Sequence, residues 1–271
     1  MSPLESTLAD PPGPLGPPVF RVVLIGLAAG LLGGMFGVGG GLLIVPALVL
    51  VLGFEQRLAH GTSLAAILPI ALASLVTYWT VGNVDWPAAL WLSLGALGGA
   101  VAGTKLLQIL PHRTLALGFT AVLAITAIRL FFTTEAIGRQ DLTLASMAGL
   151  VIVGALSGIL AGLLGVGGGV IMVPAMIVLF GIEPVVAKGT SVAVIIPTAL
   201  MGTWRNRTHS NADLKVGAVI GTCGMISAVA GGLIADQMSP AVSNALFAGL
   251  LIVVIARQLR TVFTLPVGSP S

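Results

Sequence analysis

The sequence predicts an all-α polytopic membrane protein of two inverted repeats, each with about four to five hydrophobic segments including a short half-helix after a Gly-rich break. Three observations predict it. Of 271 residues, 8% are charged and 56% hydrophobic, while soluble domains carry about 25% charged residues; so few charges cannot cover a soluble surface. Residues 30–86 reappear without a gap at 158–214, with 25 identities in 57 aligned positions. The loops shared by the two copies carry opposite charge bias, which turns the copies in opposite senses across a bilayer.

The chain divides in order into five spans. Residues 1–19 hold Pro3, Pro11, Pro12, Pro14, Pro17 and Pro18, a stiff or disordered composition. No basic residue precedes Arg21, so the positive region of a secretory signal is missing and a cytoplasmic leader is expected. The first repeat, 20–132, carries apolar segments near 20–36, 42–53, 58–80, 88–110 and 114–132. A loop at 133–143 follows. The second repeat, 144–260, carries segments near 144–164, 170–181, 186–204, 214–235 and 241–259, and 261–271 forms a tail. The second segment of each repeat has about 12 residues, roughly 18 Å of helix against a hydrocarbon core of roughly 30 Å. It reads as a half-helix or re-entrant arm.

Loop charges orient the map. Loop 80–87 holds Asp85 and no Lys or Arg, but its counterpart carries Arg205, Arg207 and Lys215. The next pair reverses, with Lys105 and Arg113 in the first copy and Asp236 without basic neighbours in the second. The excess of Lys and Arg in cytoplasmic loops then places equivalent loops on opposite sides and both termini in the cytoplasm, as in a bacterial inner membrane. Arg139, in the loop between repeats, runs against this assignment. Trp79, Trp86 and Trp91 cluster as an interfacial belt would.

The strongest repeated element is Gly37-Val38-Gly39-Gly40-Gly41, returning as Gly165-Val166-Gly167-Gly168-Gly169, each followed by a Pro, Pro46 or Pro174. Successive glycines break a helix, at about 1 kcal/mol per position relative to alanine. In lipid such a break survives where it faces protein or a wet cavity. A helix starting just after it, near Leu42 or Val170, points unpaired N–H groups and a positive dipole end at the break. Backbone at Gly39, Gly40, Gly41, Gly167, Gly168 and Gly169 could therefore hold a small anion where two such ends meet. Close helix packing by small residues is the alternative use of these glycines. A nucleotide loop is excluded, because neither stretch completes G-x-G-x-x-G or G-K-[ST].

These paired elements of the form G-x-G-G-G-x-x-x-x-P-x-L, each followed by A-x-G-T-S, resemble the TauE/SafE sulfite-exporter family of membrane transporters over roughly residues 20–260. The second copy departs mildly, reading Pro174-Ala175-Met176. The resemblance implies transport of sulfite, organosulfonates or related small anions.

In the A-x-G-T-S elements, Thr62, Ser63, Thr190 and Ser191 either complete an anion cradle or cap their helices and bond back to the preceding turn. The variable position is His60 in one copy and Lys188 in the other. Lys188 could be a fixed counter-charge and His60 a titratable partner; both could instead snorkel to the headgroups. Glu55, Glu183, Asp85 and Asp213 suit caps and turns, and Asp85 before Trp86-Pro87 reads as an N-cap. His60, His112 and His209 have no metal-ligand spacing, Cys223 is the single cysteine, and no nucleophile–base order emerges. Neither enzyme chemistry, cofactor nor metal is expected. The partners implied are a small anion and the lipid bilayer, with room for a homo-oligomer and no nucleic acid. The expected function is transport of a small anion, sulfite or an organosulfonate, by alternating access at the repeat interface. A cation-conducting or cation-coupled pore using the carbonyls of the same breaks, or a non-transporting partner of a neighbouring enzyme, are the rival readings.

Overall fold

The computed structural model describes residues 19–106, 120, 124, 128, 143–208 and 212–264. The leader, most of the expected segment 114–132, His112, Arg113, Arg139 and His209 lie outside the described residues. Within them the chain forms nine helices and no strand: α1 (Val19–Phe36), α2 (Gly41–Leu52), α3 (Gln56–Thr80), α4 (Trp86–Leu106), α5 (Leu144–Leu164), α6 (Gly169–Phe180), α7 (Pro184–Thr208), α8 (Leu214–Gln237) and α9 (Pro240–Thr264). Five of these contain stretches long and apolar enough to cross a membrane, on α1, α3, α5, α7 and α8. The twelve-residue α2 and α6 are too short for that. The expected segments match these helices closely, although α9 continues to Thr264, into the span read as a tail.

Large apolar side chains point outward, among them Leu50, Val76, Trp204, Ile226 and Val253. This is the surface that a bilayer rewards. Trp79 and Trp86 are also exposed and meet edge to face, ring centroids 5.7 Å apart. Beside large buried residues such as Ile67, Leu92 and Met176, the closest helix contacts are made by small ones, because apolar surface gains little by leaving lipid and close packing must do the work. Along α1, Gly26, Gly30 and Gly34 lie against the carbonyls of Ile220, Gly224 and Ala228 on α8. Along α5, Gly154 and Gly158 lie against those of Leu92 and Ala96 on α4. The two interfaces are copies, each residue displaced by the same 128 positions as the sequence repeat. The sequence placed close-packing glycines among the uses of the break; the structure also puts them on α1 and α5.

The long helices α3 and α7 form the middle of the molecule, and each packs on α8 or α4 as well as on the other. They run in opposite directions, since Leu64 on α3 touches Gly202 near the end of α7 while Tyr78 touches Gly189 near its start. α3 and α8 run side by side, Thr62 beside Gly217 and Thr77 beside Gly232. Asp85 and Asp213 cap the helices that follow them, accepting from Ala88 N at 3.1 Å and from Lys215 N and Val216 N at 3.0 and 3.1 Å. The N-cap expectation at Asp85 holds. Glu55 stands at the N-cap of α3 without a side-chain capping bond.

The glycine-lined interface yields a paired prediction. Gly30→Ala sets a Cβ into Gly224 O and should destabilise by about 1–3 kcal/mol through overpacking. Gly98→Ala, where a Cβ meets nothing within 4 Å, should be neutral or stabilise by up to about 1 kcal/mol. Melting of both variants in detergent checks this; equal behaviour would refute the packing account.

Candidate functional site

The two glycine breaks meet each other. Gly40 and Gly168 stand at the N-caps of α2 and α6 with φ of 79° and 73°, a left-handed conformation that favours glycine. Leu43 and Ile44 donate to Gly40 O, and Ile171 and Met172 donate to Gly168 O. The N–H groups of Gly41, Leu42, Gly169 and Val170 precede these first intrahelical donors and face the break. A Cβ on Gly41 would stand 2.8 Å from Val166 O, and one on Gly169 would stand 2.7 Å from Gly37 O. Ile67 and Ile195, themselves repeat mates, close the meeting point from either side at Gly39 and Gly167. Half-helices thus begin at Gly41 and Gly169, each one residue earlier than the sequence suggested.

The hydroxyls of the A-x-G-T-S elements bond across the repeats, rather than capping their own helices or bonding back along them. Ser191 Oγ donates to Gly37 O at 3.0 Å, and Ser63 Oγ donates to Gly165 O at 3.1 Å. Thr190 Oγ1 accepts from Asp85 N, and Thr62 Oγ1 accepts from Asp213 N, both at 2.9 Å. All four hydroxyl residues are fully buried. Each repeat therefore holds the other's break and the other's connecting loop. Gly189 completes the fit, since a side chain there would meet Asn83 O and Tyr78.

Lys188 is buried to 1% exposure, so it does not snorkel to a headgroup. Its backbone lies against Gly37. Its Nζ donates to Ser243 Oγ on α9 at 2.6 Å and stands 5.7 Å from the centroid of the Phe36 ring, which in turn packs on Phe247. Neither partner carries a charge. Burying an ammonium against neutral groups is costly, and such a charge within a membrane-embedded helix makes Lys188 a candidate site residue. The equivalent His60 is half-buried, with its backbone against Gly165. Lys188 and His60 thus flank different breaks.

Three participants escaped the sequence reading. Tyr78 is buried and donates to Gly34 O at 2.7 Å, fastening α3 to α1 beside the first break. Ser243 is the partner of Lys188 from a distant helix. Ser157, on the α5 face behind Gly168, is fully buried. The first and third had no repeated counterpart to draw attention, since Asn206 and Ala29 occupy their mates' positions. Among the described residues no cluster of His, Cys, Asp or Glu could hold a metal.

Comparison with known proteins agrees with this architecture. The family model described as sulfite exporter TauE/SafE matches residues 22–184 and 150–266. A probable membrane transporter protein of Xylella fastidiosa strain 9a5c is 28% identical over 239 residues, 86% of this chain and 90% of its own length. The probable membrane transporter proteins YunE and YdhB of Bacillus subtilis are each 28% identical, over 67% and 75% of this chain and 76% and 86% of their own lengths. Matched over nearly its whole length by one family model, with apolar helices throughout, the chain is a membrane protein that belongs to the TauE/SafE family of transporters.

Proposed function

We propose that this protein moves a small anion, sulfite or an organosulfonate, by alternating access between two inverted repeats. The observation that carries the reading is the meeting of two broken-helix N-termini beside a buried ammonium, Lys188, whose partners are neutral. Each helix start presents unpaired N–H groups and a partial positive charge. The carbonyls of Gly37 and Gly165 are engaged by serines, which leaves the donor side of each break toward a ligand and favours an anion over a cation. The site residues of this proposal are Gly39–Gly41, Gly167–Gly169 and Lys188, with Thr62, Ser63, Thr190 and Ser191 positioning the breaks and His60 at the second.

Inversion is part of the proposal. The opposite directions of the repeat mates α3 and α7 support it, as does the loop-charge reversal. The bond from Asn83 Nδ2 to Asp236 Oδ1, 2.6 Å, joins two loops that the charges assign to the same outer side. Both termini then lie in the cytoplasm, the chain residing in a bacterial inner membrane. In a Cys223→Ser background, Val84→Cys and Ala212→Cys occupy equivalent positions of the two repeats. They should react with a membrane-impermeant thiol reagent from opposite faces of the membrane; labelling of both from one face would overturn the inversion.

Ligand identity is tested by melting the detergent-solubilised protein against sulfite, sulfate, thiosulfate, taurine, sulfoacetate and chloride. A ligand at 100 times its Kd should add about 2.7 kcal/mol. Stabilisation by a sulfur anion is expected; stabilisation by sodium alone would move the reading to a cation pore. Lys188→Met should lower anion affinity about tenfold or more and leave the unliganded protein at least as stable, because a costly buried charge is gone. Unchanged affinity in that variant would remove Lys188 from the site.

A further inference from the structure

We propose that Ser157 is a direct anion ligand and that the second break, rather than the two breaks equally, seats an oxygen of the substrate. This rests on the anion-transport reading above and assigns it a side chain. Hydroxyls inside membrane helices ordinarily bond back to a carbonyl one turn earlier. Ser74 does so to Ile70 O, Thr77 to Ala73 O, Thr198 to Val194 O and Thr222 to Ala218 O. Ser157 does not: its Oγ is buried and has no hydrogen-bond partner among the described residues. A buried polar group without a partner is rare and calls for an explanation.

Its position supplies one. Ser157 and Ala161 sit one turn apart on a common face of α5. Gly168 packs on that face, since a Cβ there would stand 3.1 Å from Ser157 O and 3.4 Å from Ala161 Cβ. The face that Ser157 shares with Ala161 is thus turned to the start of α6, where the N–H groups of Gly169 and Val170 precede the first intrahelical donors. Ser191 closes the far side of Gly169, a Cβ there standing 2.9 Å from its Oγ. One turn before Ser191 on α7 is Lys188. Two backbone donors and a hydroxyl donor suit an oxyanion with at least two accepting oxygens.

The first break is built differently. Its equivalent of Ser157 is Ala29, whose carbonyl lies 2.5 Å from where a Cβ on Gly40 would be. The arm it begins also differs: α6 buries Gly169 through Pro174 continuously, whereas α2 buries Gly41, Ile44 and Leu48. The enclosed arm is the one with the spare donor.

Ser157→Ala tests this, because alanine already occupies the equivalent site at Ala29 and should fold there. Melting curves of full-length protein with and without sulfite, and with sulfate and chloride for comparison, give stability and apparent affinity together. The expected signature is a higher melting temperature without ligand, from loss of an unmet donor, combined with at least tenfold weaker sulfite binding. Thr203→Val removes the other buried hydroxyl without a partner, about 22 Å along α7 from Lys188 by helical rise. It should leave sulfite affinity unchanged. Wild-type affinity in Ser157→Ala, with wild-type protein responding to sulfite, overturns the assignment of Ser157 alone. No response of wild-type protein to any oxyanion overturns the anion reading and this proposal together. A merely structural Ser157 would lower the melting temperature without changing affinity, and that result also refutes it.

Discussion

A broken helix inside a bilayer must have its freed backbone groups met by protein, and the rest of this structure follows from how that demand is answered. In hydrocarbon, each unmet group costs several kcal/mol. Here the answer is reciprocal. Ser191 bonds the carbonyl of Gly37 and Ser63 that of Gly165, so each repeat supplies what the other lacks. Thr190 and Thr62 extend the exchange to the loops at Asp85 and Asp213. Glycines follow from the same constraint, since side chains at Gly37 or Gly165 would collide with the backbone of Lys188 or His60.

The carbonyls of Gly37 and Gly165 are met by serines, and donors of the helix starts lie beside them. Helix starts at Gly41 and Gly169 point donors inward, and Lys188 is buried with its backbone against Gly37. Phe36 and Ser243 hold that ammonium without neutralising it. α9, a helix remote in sequence, brings Ser243 and Phe247 to this point beside the first break. The halves are equal in backbone and unequal in side chain, as His60 against Lys188 and Ala29 against Ser157 record.

Much of the fold was legible because the repeat marks it twice. Glycine runs, prolines and twelve-residue arms sit at the same offsets in both copies, and segment lengths follow from the bilayer's thickness. The residues where the two breaks meet were legible as types but not as partners. Thr62, Ser63, Thr190 and Ser191 were found, yet a hydroxyl's acceptor 102 or 154 residues away leaves no local trace. Local caps and back-bonding, one of the two expected uses of these hydroxyls, occur at Asp85 and Ser74 instead. Lys188 is enclosed by Ser243 and Phe36, which no periodicity connects to it. Tyr78 and Ser157 break the repeat, so a comparison of the two halves passes over them.

The exchange of bonds also dictates a timetable. Gly37 leaves the ribosome 154 residues before Ser191, its partner. At about 5–20 residues per second, that separation is a wait of about 8–30 s. During it the first half sits in the membrane with an opened backbone and no mate. Whatever shelters that opening, the insertion machinery or a provisional contact within the first half, has to release it when the second half arrives. Biogenesis of this protein is therefore a handover at the same spot where the two repeats meet in the finished molecule.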